Sequence, residues 1–592
     1  MMNINKQSEA EKKVAELYAD VTRRAGASSF GSCPVELTAA FVRLCLAQSC
    51  GKCVPCRVGL SRLVELLEQV LDGAAGIRAL PLIRDTAQVI YDSSDCAIGF
   101  EAARLVLDGL AAFEDDYKSH IEKGICTAKF GSVPCQTGCP AHVNIPGYIA
   151  CIAAGRYADA VRVIRQTNPF PAVCGLICEH PCENYCRRNT VDDAINIRGL
   201  KRYAVEKAGD VSAPKASPKN GKTVGIIGGG PAGLTAAYFL ALRGFAVMVY
   251  EKRPKLGGML RYGIPAYRLP DADLDRDINV ILSTGVKVEY GKTVGKDISF
   301  ADFRKMFDAV YVSIGAHGAK KLGIDGEDAK GVLSAVELLG SLGGLEGLAG
   351  SGGLGLAGKR VVVIGGGNVA MDATRTAKRL GAKSVTCVYR RRIIDMTALP
   401  EEVAGAQAEG CEVLQLMAPV RVAVKDGAVT GLVVKPQIAG AIKGGRPSPV
   451  NSAEPEVTIP CDIIVAAIGQ RVDDAGLDLK AEGVFVGGDC YTGPATVIRA
   501  IDAGRVAANN IAESILPSSL VPLPSSLDPV EIPPAPAGQR LHWGRVNMQE
   551  RAAEERKGDF NLMEKCLTDE EAAQECSRCL RCDHCGFGAF RK

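Results

Sequence analysis

The chain has no surplus of charge of either sign: 70 Lys and Arg face 67 Asp and Glu over 592 residues, a formal net charge of +3. That balance excludes the basic surface with which nucleic-acid-binding proteins offset phosphate. Long apolar runs are also missing, and none reaches the roughly 18 residues that a membrane span needs. The opening stretch MMNINKQSEAEKKVAELYAD is charged and amphipathic and has no apolar segment of a secretory signal, so a cytoplasmic protein without a membrane contact is expected. Histidine is scarce, 6 residues against 23 cysteines, which favours thiolate ligation over mixed Cys/His zinc sites. In a reducing compartment such clustered cysteines are metal or redox sites, not structural disulfides.

What is present in quantity is glycine arranged in two dinucleotide fingerprints. The first runs from Thr223 through Gly228, Gly230, Pro231, Ala232 and Gly233, entering on an apolar strand and leaving into a helix-compatible stretch. A second apolar strand, Ala246 to Tyr250, then ends at Glu251, where a carboxylate can accept from a ribose hydroxyl. Gly228 permits the tight turn and Gly230 the approach of a pyrophosphate. Gly233 lets the helix pack close, with its N-terminus facing the phosphates. The second fingerprint runs from Arg360 through Gly365, Gly367, Asn368 and Val369 to Asp372. Its following strand, Ser384 to Tyr389, ends in Arg390, Arg391 and Arg392 instead of an acid, and guanidinium groups can grip a 2′-phosphate. The first pattern therefore predicts a flavin dinucleotide and the second predicts NADP(H) in preference to NAD(H).

Residues 1–125 carry helical apolar spacing in five stretches, Glu9–Arg24, Val35–Gln48, Gly59–Leu71, Leu80–Tyr91 and Glu101–Lys123. A second helical, cysteine-rich unit fills 126–210, and a Pro/Ser/Lys linker at Val211–Asn220 precedes the nucleotide-binding body. The expected fold class is α/β, with two Rossmann-like domains preceded by two all-α iron-sulfur domains. The FAD domain is expected at 219–340 and 463–515, re-entered through the strand Ile463–Ile468, and the NADP(H) domain at 358–462. Ser341–Gly358 is a Gly/Leu/Ala connection, and 516–592 a linker and cysteine-rich tail.

Residues 126–515 resemble the small subunit of bacterial glutamate synthase and its relatives, the large subunit of NADH-dependent ferredoxin:NADP oxidoreductase and the N-terminal half of dihydropyrimidine dehydrogenase. The stretches that carry this are Pro134–Pro140 with Cys135 and Cys139, Val173–Cys186 with Cys174, Cys178, Cys182 and Cys186, both fingerprints, Gly263–Pro270, Gly487–Asp489 and Gly493–Thr496. The resemblance implies that Asp489 bonds the ribityl chain of a flavin and that Arg268 lies beside the isoalloxazine as the catalytic-site residue. Gly258, Met259, Gly488 and Thr496 complete the cofactor-binding set. Residues 33–123 resemble instead the iron-sulfur end of the NADH-binding subunit of complex I, whose FMN and NADH parts are missing here. In that resemblance Cys50, Cys53 and Cys56 supply three ligands and Cys96 the fourth.

Spacing supports the same chemistry: Cys-x-x-Cys-x-x-Cys wraps three thiolates around one face of a cubane and a remote cysteine closes it, whereas zinc takes two separate pairs. Cys33, Cys45, Cys151, Cys387, Cys411 and Cys461 stand alone on apolar stretches and are expected to be core thiols. The glutamate synthase type places an Arg-Cys-Leu-x-Cys element shortly before the position of Cys135, where this chain has Thr127 to Phe130. The element occurs instead at Arg578–Cys582, as though permuted to the other end. Carried over, the distal cluster takes Cys135, Cys186, Cys579 and Cys582, and the flavin-side cluster takes Cys139, Cys178 and Cys182. The family's non-cysteine ligand maps onto Lys201, a poor ligand as a cation, which leaves Cys174 as its replacement. Alternatively the tail binds its own cluster or zinc through Cys576, Cys579, Cys582 and Cys585.

Disulfide reductases of this type carry a cysteine pair after the flavin fingerprint or inside the nicotinamide domain. Leu256–Leu260 and Gly365–Asp372 have none. The expectation is therefore hydride exchange between nicotinamide and flavin, stacked at roughly 3 to 3.5 Å, followed by single-electron exit through about three 4Fe-4S clusters. The expected role is the NADP(H)-dependent subunit of a hetero-oligomeric transhydrogenase, electron-bifurcating in type, with an FMN/NAD(H) iron-sulfur subunit or ferredoxin as partner. The alternatives are a small subunit of NADPH-dependent glutamate synthase and, outside enzymes, an electron-relay scaffold.

Overall fold

The computed structural model describes residues 13, 14, 16, 33–71, 75, 76, 78–123, 133–190, 192–342, 355–443, 446–472, 476–516, 528–534 and 544–583. All of the expected helix Glu9–Arg24 but residues 13, 14 and 16, most of the Ser341–Gly358 connection, much of the Leu516–Gly538 linker and Cys585 lie outside them.

The N-terminal unit has its own core, in which Phe41, Leu63, Ile83, Ala102 and Tyr117 are fully buried. Its helices are Pro34–Gln48, Ser61–Leu71, Ala79–Ser93, Ala97–Ala112 and Glu114–Lys123. The long helix expected over Glu101–Lys123 is thus broken at Phe113. Glu114, Asp115 and Asp116 form the first turn of a new helix, where carboxylates complement the exposed N–H groups and the positive end of the dipole. The second unit packs the helices Ile145–Ala153, Tyr157–Arg165, Pro171–Ile177 and Ile197–Ala208, with Asn144 and Asn196 capping two of them.

Two five-stranded, all-parallel sheets follow. In the first, Thr223–Ile227 lies between Ala246–Glu251 and Ala309–Val312, with Lys287–Tyr290 and Val484–Val486 at the edges. In the second, Arg360–Ile364 lies between Ser384–Tyr389 and Ile463–Ala466, with Glu412–Gln415 and Val332–Ser334 at the edges. Both fingerprints therefore sit where the strand order reverses, the crevice at which such sheets bind ligands. The helix Pro231–Leu242 is apolar all round because it is covered on both sides. Sheet lies on one side and the helix Val497–Ile515 on the other, so close that a Cβ at Gly504 would stand 2.2 Å from the Ala232 carbonyl oxygen.

The sheets correct one boundary. Ile463–Ala466 does not return to the first sheet; it pairs with Arg360–Ile364 in the second, and the return is made later by Val484–Val486. The reason is one side-chain pair: the Asp462 carboxylate accepts from the Arg360 backbone N–H at 2.8 Å and from its Nη2 at 2.7 Å, pinning this strand to its neighbour. Val332–Ser334 likewise belongs to the second sheet. An antiparallel layer, Met417–Lys425, Ala428–Lys443, Arg446–Asn451 and Val457–Pro460, intervenes before the chain returns.

Buried charge joins the parts. Glu409, fully buried, accepts from Arg375 Nη2 at 2.6 Å, Arg379 Nη1 at 2.6 Å and Arg556 Nε at 2.8 Å. Burial pushes this carboxyl up, but the hydrogen bonds from Arg379 and Arg375 outweigh it and hold the pKa at about 2. A folded pKa below the unfolded value contributes stability that is fully present above about pH 4.5 and is lost as pH falls towards 2. Glu409→Gln, which removes the anion shared by three buried guanidiniums, is expected to lower stability by about 3–5 kcal/mol at neutral pH. The deficit, read from apparent unfolding midpoints, should hold from pH 8 to about 4.5 and shrink below it.

Candidate functional site

The first fingerprint opens a groove of 290 Å³ lined by Gly228, Gly230, Pro231, Ala232, Glu251, Gly258, Met259 and Asp489. At Gly228 the backbone has φ +104°, and a Cβ would lie 2.5 Å from the Ser313 carbonyl oxygen, so only glycine fits the turn. Gly233 stands behind it, where a Cβ would come within 2.0 Å of the Gly228 oxygen. Glu251 Oε2 accepts from the Gly229 N–H at 2.8 Å and Oε1 from the Arg253 N–H at 2.9 Å, which fixes the carboxylate at the rim with lone pairs left for a diol. Lys252, Arg253, Thr293, Ser313 and His317 also line the groove and were not anticipated. They follow strand ends, where sequence pattern stops being periodic. Burial, with Arg253 and Lys252 nearby, lowers the His317 pKa to about 4.

A second cavity of 190 Å³ lies between the two sheets. Pro231, Met259, Arg268, Asn368, Val369, Asp372, Asp489 and Thr496 line it, as do Ile177, Glu179 and Gln470. It brings together residues of both fingerprints. Burial raises the Asp489 pKa to about 6, while Oδ1 accepts from the Ala495 N–H at 3.2 Å. Gly488, with φ +73°, turns the chain against Ala232. Arg268 is buried in an ion network: Nη1 donates to Asp372 at 3.0 Å and Nη2 pairs with Glu402 at 3.0 Å. Its guanidinium is thus at the cleft wall but already holds two carboxylates. Among the described residues no cysteine lines either cavity.

The arginines expected at a 2′-phosphate differ from one another. Arg390 is exposed, Arg391 Nε donates to the Pro447 carbonyl at 2.9 Å, and Arg392 is paired with Asp395. Gly365 and Gly367 sit at the turn into the helix Asn368–Arg379.

Four expected ligands line one apolar cavity: Cys135, Cys186, Cys579 and Cys582, with Ile145, Ile149 and Ile197. The tail is locked there by its helix Asp569–Arg578. Glu575, fully buried, accepts from the Asn196 and Val546 N–H groups at 2.8 and 2.7 Å, and Arg578 donates to the Asp193 carbonyl at 2.6 Å. Cys576 packs into the hydrophobic core instead. A second group surrounds Lys201. Burial would lower the pKa of this ammonium, but Cys174, Cys178, Cys139 and Cys182 hold it well above its ordinary value. The hydrogen bond from Cys174 lowers Cys178 to about 6 against the effect of burial. Gly175 allows this packing, since its Cβ would lie 2.9 Å from the Arg202 Cα on the neighbouring helix. In the N-terminal unit Cys53, Cys56 and Cys96 are neighbours, burial pushes Cys56 up to about 12, and Cys50 is exposed. Among the described residues no three side chains converge as ligands of one ion do. Each of the three groups offers thiols, the donor that a 4Fe-4S cubane takes at each of its irons. The six isolated cysteines are buried, and Cys33 Sγ lies 3.4 Å from His120 Nε2.

Two fingerprint sheets facing one cleft, with Ile177 and Glu179 of the cysteine-rich domain on its wall, define a two-nucleotide oxidoreductase with iron-sulfur domains. Comparison with known proteins finds three matching regions. Residues 36–120 match the NADH-ubiquinone oxidoreductase-F iron-sulfur binding region, and 121–212 match dihydropyrimidine dehydrogenase domain II, 4Fe-4S cluster. Residues 222–504 match the pyridine nucleotide-disulphide oxidoreductases. The chain is 35% identical over 611 residues to the NADPH-Fe(3+) oxidoreductase subunit beta of Geobacter sulfurreducens, covering 91% of this chain and 89% of that protein. It is 33% identical over 643 residues to the NADP(+)-dependent formate dehydrogenase subunit beta of Moorella thermoacetica, covering 93% and 90%. To the glutamate synthase (NADPH) small chain of Escherichia coli it is 33% identical over 416 residues, covering 64% and 88%. The chain belongs to the family that holds these two beta subunits and the glutamate synthase small chains. It is an NADPH-dependent oxidoreductase with FAD, NADP(H) and 4Fe-4S clusters as cofactors.

An Arg390→Ala, Arg391→Ala variant is expected to lose about 1.5–3 kcal/mol of NADPH binding while NADH is little affected. Flavin bleaching rates with the two nucleotides check this.

Proposed function

We propose that this subunit is the NADP(H) end of a hetero-oligomeric transhydrogenase, passing electrons between NADP(H) and a partner subunit that carries FMN and an NAD(H) site, or ferredoxin. The observation that carries the reading is the position of the Cys178 loop. Ile177 and Glu179, on either side of that thiol, line the cleft shared by both fingerprints. Bound FAD supplies the exchange between a two-electron hydride and single electrons. The chain's own residues do the rest. The groove residues Gly228, Gly230 and Glu251 bind the dinucleotide, Asp489 and Thr496 orient its inner end, and Gly365, Gly367, Asn368, Val369, Arg390 and Arg391 hold the nicotinamide dinucleotide.

Outward from the cleft, Cys139, Cys174, Cys178 and Cys182 are the ligands proposed for one cluster. Cys135, Cys186, Cys579 and Cys582 are those proposed for the next. Cys50, Cys53, Cys56 and Cys96 hold a third, whose exposed Cys50 faces a partner. The two full-length relatives are named for different reactions, Fe(3+) reduction and formate oxidation, while both names carry NADP(H). That pattern favours an NADP(H) module whose partner sets the other half-reaction, and it supports a formate-oxidising partner as the second reading.

Replacing Cys579 and Cys582 together by Ser is expected to remove about four irons per chain and slow electron exit to any acceptor, while NADPH still bleaches the flavin. Unchanged iron content refutes the shared cluster. Purification of the native complex identifies the partner, and one that is not ferredoxin and has neither a flavin nor an NAD(H) site refutes the transhydrogenase.

A further inference from the structure

The loop after Cys178 leaves the helical cysteine domain and enters the cleft between the sheets. His180 takes a left-handed backbone, φ +41°, and its ring sits 3.5 Å from Glu183 and 3.6 Å from Glu401, so the turn is held at both ends. One residue earlier, Glu179 Oε1 accepts from Asn368 Nδ2 at 2.7 Å. The orientation of that amide is fixed from its other side, because Asn368 Oδ1 accepts from the Leu399 N–H at 2.9 Å.

Two other carboxylates of the cleft already accept hydrogen bonds. Both oxygens of Asp372 accept from Arg268 Nη1, at 3.0 and 3.1 Å, and Asp489 Oδ1 takes the Ala495 N–H. Glu179 uses one oxygen, and its second has no partner among the described residues. Asn368 Nδ2 has a second hydrogen to give. A carboxylate oxygen beside an amide N–H is the complement of a primary amide, which offers an N–H next to a carbonyl.

We propose that Glu179 is a specificity residue for the nicotinamide: its carboxylate accepts from the carboxamide NH2, while Asn368 donates to the carboxamide oxygen. The pair then fixes which way the ring is turned when it enters the cleft. This rests on the cleft being the nicotinamide site.

The test uses the intact flavin- and iron-loaded protein and two ligands, NADP+ and 3-acetylpyridine adenine dinucleotide phosphate, whose acetyl group keeps the carbonyl and lacks the N–H. Calorimetric titration gives binding, and flavin bleaching by the reduced forms gives transfer. Glu179→Ala is expected to weaken NADP+ binding on the order of 10- to 100-fold and to leave the acetyl analogue nearly unchanged. Glu179→Gln, whose carbonyl still accepts, should retain most of the preference. Equal losses with both ligands, or no loss with either, overturn the assignment. If Glu179→Ala fails to retain flavin or iron, the Gln variant and the wild-type preference for NADP+ decide it, and a wild type that binds both ligands alike overturns it. A wild type whose flavin is bleached by neither reduced nucleotide refutes instead the reading of the cleft.

Discussion

A line of buried carboxylates and guanidiniums holds the molecule in register. It runs from Arg268, on the loop beside the first sheet, through Glu402 and Arg375 on the helices of the second, to Glu409, and from there to Arg556 in the C-terminal segment. Each charge is removed from water and compensated only by its neighbours, so no member can move without leaving another unpaired. Aromatic packing reinforces the line, with the Arg379 guanidinium 3.9 Å above the Tyr267 ring. The width of the cleft between the sheets is therefore set by charge geometry. Hydride transfer tolerates little error in the distance between two rings, and this is the kind of support it requires.

The same logic extends to the cysteine domain. Its attachment to the tail runs through Glu575, which satisfies two backbone N–H groups from separate segments, and through Arg198, whose Nη2 donates to Glu564 at 2.6 Å. Arg198 Nη1 also donates to the Leu176 carbonyl, two residues before Cys178. Thiols, tail and cleft are thus tied by the same few side chains.

Much of this was legible in the sequence because it is periodic or punctuated. Both fingerprints, Glu251 at its strand end and the apolar helix after Gly230 follow from patterns with a local cause. The Arg578–Cys582 element was readable as a displaced motif, and the structure sets its cysteines beside Cys135 and Cys186. The boundary at Ile463 was misplaced because an apolar four-residue strand fits either sheet by composition, and only the long-range Asp462–Arg360 pair decides. The break at Phe113 was signalled by three consecutive acids but hidden under continuing apolar spacing. Glu179 and His317 carried no signal, since each is defined by what folds against it from far along the chain, Asn368 on Glu179 and Lys252 and Arg253 near His317. Arg268 was singled out from its motif and lines the cleft, but its engagement with Asp372 and Glu402 depends on residues more than a hundred positions downstream.

One cavity has walls made at opposite times. Cys135 and Cys186 leave the ribosome long before Cys579 and Cys582; the separation from Cys135 to Cys579 is 579 − 135 = 444 residues. At about 5–20 residues per second the early thiols wait on the order of 20 to 90 s for their counterparts. During that interval the nucleotide-binding sheets between them can fold. The pocket therefore closes late in biosynthesis, and a chain that stops short keeps its grooves while lacking half of this wall. Quality control by a cell could act on that difference.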